Sequence, residues 1–146
     1  KYNQIYTSEQ AFFDDLEQMN SIIKAQTGND ASIIRFPGGS SNTVSKDYCP
    51  GIMTQLVNDV TARGLLYCDW NVSSGDANSK PISTEQVVQN VISGVQSHNV
   101  SVVLQHDIKD FSVNAVEQII QWGQANGYTF LPLTTSSPMS HHRINN

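Results

Sequence analysis

The fold class follows from residues 101–105, Ser101-Val102-Val103-Leu104-Gln105. This continuous apolar run predicts a strand that is buried on both faces. Segments with helical periodicity lie on both sides of this run. Apolar residues recur at helical spacing over 87–95, and again over 116–120. A helix between two strands makes a crossover connection, which leaves the strands parallel. These residues therefore predict an α/β fold.

The same alternation extends along the chain. Helices are predicted over 8–26, 51–63, 83–95 and 112–127, and strands over 33–36, 65–72, 101–105 and 128–131. Two of the helices begin at capping boxes, Thr7 with Gln10 and Ser83 with Gln86. We therefore expect a parallel sheet of about four strands with crossover helices, in one domain ordered over about 6–133. Residues 134–146 are predicted to form a loosely held polar tail.

Composition excludes several function classes. The chain has 146 residues, a net charge of -5 and only eight Lys and Arg residues, which is too few for a surface that binds nucleic acid. No apolar run approaches the length of about 18 residues that a membrane span needs. The two cysteines, Cys49 and Cys68, do not form a C-x-x-C pair. They are either two separate thiols or one disulfide in an exported protein.

Three polar side chains follow predicted strands. Arg35 ends the first strand, Asp76 lies in the loop after the second, and His106 follows the third. In parallel sheets, functional groups collect at the carboxyl ends of the strands. Histidine suits proton transfer near neutral pH, aspartate can fix its tautomer, and arginine can orient a carboxylate. Alternatively, the three are a surface ion pair, a turn cap and a buried histidine with ordinary structural roles.

The same strand ends resemble motifs of the polysaccharide deacetylases, carbohydrate esterase family 4. Residues 35–39, Arg-Phe-Pro-Gly-Gly, resemble the third motif of the family, and residues 102–106 resemble its fifth motif, Leu-x-His. Residues 73–77 correspond to the fourth motif, Asp-x-x-Asp-Trp, although Ser73 and Ala77 replace its first Asp and its Trp. Asp69-Trp70 competes for this position, but Asp69 lies within a predicted strand. We therefore favour Asp76 as the motif aspartate.

The resemblance implies the carboxyl-terminal part of a distorted (β/α) barrel, and a metal-dependent N-deacetylase that acts on N-acetylglucosamine polymers of the cell envelope. By position, His106 is the general acid, Asp76 sets its protonation and Arg35 orients the catalytic-base aspartate. The substrate-binding residues implied in the same way are Leu104, which lines the pocket for the acetyl methyl group, with Pro37 and Gly38.

The metal ligands of the family are not found in the sequence. The family binds a divalent metal, often zinc, through a paired-Asp motif and a His-x-x-x-His motif. Asp14-Asp15 lies on the solvent side of an amphipathic helix, and His141-His142 lacks the required spacing. We therefore expect no metal ligands in this chain, which would be the carboxyl-terminal part of a deacetylase and inactive alone.

The same interpretation sets the expected partners and location. The parent protein would bind N-acetylated cell-wall polysaccharide, and we expect it to be extracellular or in the cell envelope. Half a barrel would leave sheet edges unpaired, which predicts self-association through those edges. Two other functions stay open: a carbohydrate-binding or interaction module without catalysis, and a flavodoxin-like domain that binds a small anion at residues 37–42. The latter predicts no coupling among Arg35, Asp76 and His106.

Overall fold

The computed structural model describes residues 1–78 and 80–146. The chain forms two compact units. The first unit, unit 1, contains residues 1–69 and 134–146, and the second, unit 2, contains residues 70–133. The helices and strands predicted from the sequence are mostly present, with boundaries that differ by one or two residues at the helices.

Unit 1 contains three α-helices and one pair of parallel strands. The helices are α1 (Tyr2–Ile5), α2 (Glu9–Thr27) and α3 (Ile52–Ala62), with a short 3-10 helix over Val44–Asp47. Strand β1 (Ile33–Ile34) pairs in parallel with β2 (Leu66–Tyr67). Helix α2 begins one residue later than the predicted capping box requires, because the Ser8 side chain accepts the Ala11 N–H at 3.1 Å.

The core of unit 1 is aromatic on one side and aliphatic on the other. Tyr6, Phe12, Phe36 and Tyr67 are buried, and their rings form a chain of contacts with centroid separations of 6.1, 5.5 and 5.3 Å. The aliphatic part includes four buried residues of α3, namely Ile52, Met53, Leu56 and Val60. Phe36, in the segment that follows β1, belongs to this buried core.

Unit 2 contains two α-helices and a second parallel strand pair. Strand β3 (Val72–Ser73) pairs with β4 (Val103–Leu104), while α4 (Thr84–Gln96) and α5 (Asp110–Ala125) supply the helices. The side chain of Ser83 caps α4 by accepting the Gln86 N–H at 3.2 Å, as predicted. Val87 and Val91 of α4 pack with Ala115 and Ile119 of α5 in a buried cluster.

The predicted single sheet of about four strands is wrong in detail. Two separate two-stranded parallel pairs are present among the described residues, one in each unit. The predicted strand 65–72 divides because the Asp69 N–H donates to the carbonyl of Ser140, at 2.7 Å, rather than to a strand. The 101–105 strand is also shorter than predicted. Its Leu104 is buried but Val103 is exposed, so only one face of β4 is covered.

The predicted strand over 128–131 is absent from the part of the chain that the structure describes. The Tyr128 N–H donates to the carbonyl of Gly123 at 2.9 Å, which closes the end of α5. The Tyr128 ring stacks on Trp122, with ring centroids 5.2 Å apart. The aromatic residues that suggested a strand therefore pack on the preceding helix.

Residues 140–146, called here the carboxyl-terminal segment, are not the loosely held tail that the sequence predicts. The backbone of Asn146 accepts the Thr54 N–H at 2.8 Å, and its side chain accepts the Gly51 N–H at 2.7 Å. Ile144 packs against the core of unit 1. The polar composition of this segment reflects hydrogen bonding to its own unit rather than solvation.

Two further sequence expectations have structural outcomes. Cys49 and Cys68 are free thiols, so the disulfide alternative does not hold in this structure. Among the described residues, every helix is too short or too polar to cross a membrane.

Candidate active site

Asp76 and His106 are brought together by the strand pair of unit 2. Asp76 lies three residues after β3, and His106 lies two residues after β4. Because β3 and β4 are parallel, their carboxyl ends lie at the same edge. The Nδ1 atom of His106 lies 2.8 Å from Oδ1 of Asp76. The pairing predicted from strand-end placement is therefore present.

The imidazole of His106 is not the only group that donates a hydrogen bond to Asp76 among the described residues. The carboxylate is only 2% exposed, and its Oδ2 accepts the backbone N–H of His106 and the Ser112 hydroxyl, both at 2.6 Å. The Lys109 ammonium donates to the Asp76 carbonyl oxygen. Together with His106 Nδ1, three groups donate to the carboxylate, as a buried carboxylate requires.

The pKa of Asp76 shows the balance of these effects. Burial raises the pKa of the carboxyl, whereas the hydrogen bonds from Ser112 and from the side chain and backbone of His106 lower it. The hydrogen bonds outweigh burial, and the pKa falls from 3.8 to about 2. Asp76 is therefore ionised at neutral pH and can accept a hydrogen bond from the Nδ1–H group of His106.

A hydrogen bond from helix α4 holds the turn that carries Asp76. The Asn90 side chain donates to the carbonyl of Ser74 at 2.9 Å. Gly75 has φ +78°, and a Cβ at this position would lie 2.7 Å from the Asn90 amide nitrogen. Glycine is needed here for both its left-handed backbone and its lack of a side chain. The side chain of His106 remains 34% exposed, so the imidazole has one edge held by Asp76 and the other accessible.

The other predicted site residues lie in both units. Leu104 is buried on β4 in unit 2. Arg35, Pro37 and Gly38 belong to unit 1 and are exposed in the segment that follows β1. The Tyr6 hydroxyl donates to the Pro37 carbonyl at 2.7 Å, and burial raises the pKa of Tyr6 above its ordinary value.

Asp69, which the sequence analysis rejected as the motif aspartate, has a different environment from Asp76. It is 1% exposed, and its carboxylate accepts the Ser40 N–H at 2.8 Å, the Ser40 hydroxyl at 2.5 Å and the His142 N–H at 2.9 Å. All of these partners belong to unit 1. Asp76, by contrast, contacts the imidazole of His106.

Sequence reasoning missed two residues of the Asp76 network. Ser112 was interpreted only as the start of a helix, and Lys109 was not singled out. The Gln105 side chain donates to the Ser112 carbonyl at 2.6 Å, which ties the end of β4 to the start of α5. Their position within six residues of His106 is the one signal that could have indicated them.

Comparison with known proteins identifies the relatives of the chain. No protein-family model matches the sequence. The catalytic domain of peptidoglycan N-acetylglucosamine deacetylase from Eubacterium rectale is 98% identical in sequence and superposes with a TM-score of 0.99 over the whole chain. The chain is a relative of the polysaccharide deacetylases. The resemblance inferred from the strand-end motifs is therefore confirmed.

The chain is also similar to two more distant deacetylases, one in sequence and one in fold. A curated peptidoglycan-N-acetylglucosamine deacetylase from Bacillus cereus is 28% identical over 123 residues, which are 82% of this chain. A polysaccharide deacetylase structure from Bacillus cereus shares the fold, with 23% identity and a TM-score of 0.71 over 99% of this chain. The chain spans 42% of the curated relative, and 66% of each of the two solved deacetylase chains.

Proposed function

We propose that this chain is part of a hydrolase that removes acetyl groups from N-acetylglucosamine polymers of the cell envelope. The observation that carries the proposal is the hydrogen-bonded pair of Asp76 and His106 at the carboxyl ends of two parallel strands. The 98% identity to part of a peptidoglycan N-acetylglucosamine deacetylase domain names the reaction class. Localisation in the cell envelope or outside the cell follows from the proposed substrate.

His106 is the proposed general acid. Hydrolysis of an acetamide adds water: a C–O bond forms, the C–N bond breaks, and the departing nitrogen gains a proton. Asp76 accepts a hydrogen bond from Nδ1 of His106, which leaves Nε2 to hold the proton that the nitrogen receives. The ionised Asp76 stabilises the protonated imidazole and holds the ring in one orientation.

The remaining residues have proposed supporting roles. Arg35 orients the carboxylate that acts as the base, and its exposed position after β1 leaves the guanidinium accessible to a partner. Leu104 supplies an apolar surface for the acetyl methyl group, while Pro37 and Gly38 contact the sugar. These roles come from the motif positions and are proposals for the complete enzyme.

The residues of this chain do not fit the metal site that the resemblance implies. Among residues 1–78 and 80–146, no group of three or more His, Cys, Asp or Glu side chains could hold a metal ion. His141 contacts Tyr67, with Nε2 3.0 Å from its carbonyl and ring centroids 4.1 Å apart. We therefore assign the divalent metal to residues outside this chain, and no step above passes through it. This chain alone is proposed to be inactive.

Acetate release tests the proposal. The protein to assay is a longer polypeptide that carries this sequence together with the remainder of the domain seen in the Eubacterium rectale relative, with an N-acetylglucosamine oligomer as substrate. His106→Ala should lower turnover by about 10²–10⁴-fold, the usual effect of losing a general acid. His98→Ala is the matched control, because His98 is an exposed histidine of the same unit whose Nδ1 contacts the Gly94 carbonyl at 2.9 Å.

The outcomes separate the candidate functions. Acetate release that falls in His106→Ala but not in His98→Ala supports the deacetylase. Saturable oligomer binding without acetate release would instead support a carbohydrate-binding module. The flavodoxin-like alternative predicted no coupling among Arg35, Asp76 and His106, and the 2.8 Å contact between Asp76 and His106 argues against it for that pair.

A further inference from the structure

Unit 1 contains a buried aspartate, Asp69, that has no role in the proposed chemistry. Asp69 is 1% exposed, two residues after β2, and three hydrogen bonds reach its carboxylate. Two come from Ser40, through its backbone N–H and its hydroxyl, and one comes from the backbone N–H of His142. Asp69 therefore joins segments that are 29 and 73 residues away in sequence.

Ser40 belongs to the segment 36–42, called here the 36–42 loop, which directly follows Arg35. The loop is tightly turned: the Gly39 N–H donates to the Phe36 carbonyl at 2.7 Å, and the Asn42 N–H donates to the Gly39 carbonyl at 3.2 Å. Its first residue, Phe36, is buried in the aromatic core, and Ser40 is 0% exposed. The loop is thus anchored at Phe36 by the core and at Ser40 by Asp69.

The carboxyl-terminal segment covers the same loop. The Ser41 hydroxyl lies 3.1 Å from Nδ1 of His142, and the Asn145 side chain donates to the Ser41 carbonyl at 3.1 Å. The Asp69 backbone N–H donates to the Ser140 carbonyl at 2.7 Å, next to the contact between its side chain and His142. The segment and the loop therefore share Asp69 as their common partner.

We infer that Asp69 is a positioning residue, whose carboxylate ties the 36–42 loop to the carboxyl-terminal segment and thereby sets the position of Arg35, Pro37 and Gly38. This inference rests on the proposed function for its catalytic consequence, because Arg35 acts on the reaction only if the parent protein is a deacetylase. Its structural part, the dependence of the loop on Asp69, stands on the contacts within unit 1.

Asp69→Asn is the informative substitution. An asparagine has the same shape, but it offers one acceptor oxygen in place of two, so its NH₂ group must face at least one of the N–H donors of Ser40 and His142. The variant therefore releases the loop or the carboxyl-terminal segment without removing side-chain volume. Asp30→Asn is the matched control, because Asp30 is an exposed aspartate of the same unit that is paired with Lys24 at 2.8 Å.

The kinetic test uses the longer polypeptide at a temperature well below its unfolding midpoint. Asp69→Asn should lower kcat for acetate release by about 10- to 100-fold with a smaller change in KM, because displaced catalytic groups act on substrate that is already bound. Ser40→Ala should lower kcat as well, and the double variant should lose less than the product of the two separate effects, because the Ser40 hydroxyl bonds the Asp69 carboxylate. Wild-type kcat and KM in Asp69→Asn, or independent effects in the double variant, would overturn the inference.

A second measurement does not depend on activity. Hydrogen exchange should become at least tenfold faster at one or both of the amides of Ser40 and His142 in Asp69→Asn, and should stay unchanged at both in Asp30→Asn. If the wild-type polypeptide released no acetate, the proposed function would fail while the exchange rates still tested the role of Asp69. Unchanged exchange at both amides would contradict that role regardless of activity.

Discussion

The hydrogen bonds around Asp76 predict how the stability of unit 2 depends on pH. Lowering the pKa of this carboxyl from 3.8 to about 2 corresponds to about 2 kcal/mol of stabilisation at neutral pH. The folded-state pKa is the lower one, so the stabilisation is complete above about pH 5 and is lost as the pH falls through about 4 to 2. In Asp76→Asn there is no carboxyl to titrate, and this part of the pH dependence should disappear.

The assay is urea unfolding of wild type and Asp76→Asn at pH 6, 4, 3 and 2. Both tryptophans, Trp70 and Trp122, belong to unit 2, so their fluorescence follows that unit. The difference in the free energy of unfolding should shrink by about 2 kcal/mol between pH 6 and pH 2. An Asp107→Asn control, at an exposed position beside His106, should stay within about 0.5 kcal/mol of wild type. A difference between wild type and Asp76→Asn that is constant across the pH range would refute the reasoning.

Three further predictions concern Ser112, Gly94 and the divalent metal of the longer polypeptide. Ser112→Ala removes a donor 2.6 Å from Asp76 and should raise the pKa of that carboxyl, as measured by NMR titration, whereas Ser112→Thr keeps the hydroxyl and should leave it lowered. Gly94→Ala would place a Cβ 2.5 Å from Cγ1 of Val72, and its thermal unfolding should show a loss of about 1–3 kcal/mol. A chelator should abolish acetate release by the longer polypeptide and leave the unfolding of this chain unchanged, which differential scanning calorimetry can check.

The helices could be predicted from sequence because each carries its own signals. The predicted apolar stretch 87–95 contains the buried α4 residues Val87 and Val91, and Gly28, with φ +78°, ends α2 close to the predicted bound at residue 26. Ser83 caps α4 as predicted. These features depend on contacts within a few residues, so the sequence pattern is sufficient to locate them.

The strands could be predicted less well because their extent depends on distant partners. Residues 65–72 were predicted to form one strand, but the carbonyl of Ser140 accepts the Asp69 N–H and the strand is interrupted there. No local pattern indicates a partner 71 residues away. The same reason explains why residues 134–146 were expected to be a tail.

The part of the candidate site that lies at the ends of strands could be predicted from the sequence. The part that depends on packing between distant residues could not. Asp76 and His106 were paired correctly because parallel strands place their carboxyl ends together. The buried environment of Asp69 was not foreseen, since a carboxylate in a strand-like segment gives no indication of its donors. Ser112 was missed because a serine before an apolar stripe first suggests a helix cap.

The most direct test of the proposed function is acetate release from an N-acetylglucosamine oligomer by the longer polypeptide, compared between wild type and His106→Ala. We expect release by the wild type and a loss of about 10²–10⁴-fold in His106→Ala, because Nδ1 of His106 is held by Asp76 at 2.8 Å and the ring is the proposed source of the proton for the departing nitrogen. No release by the wild type, or equal release by the two proteins, would contradict the assignment of this chain to a deacetylase that uses His106.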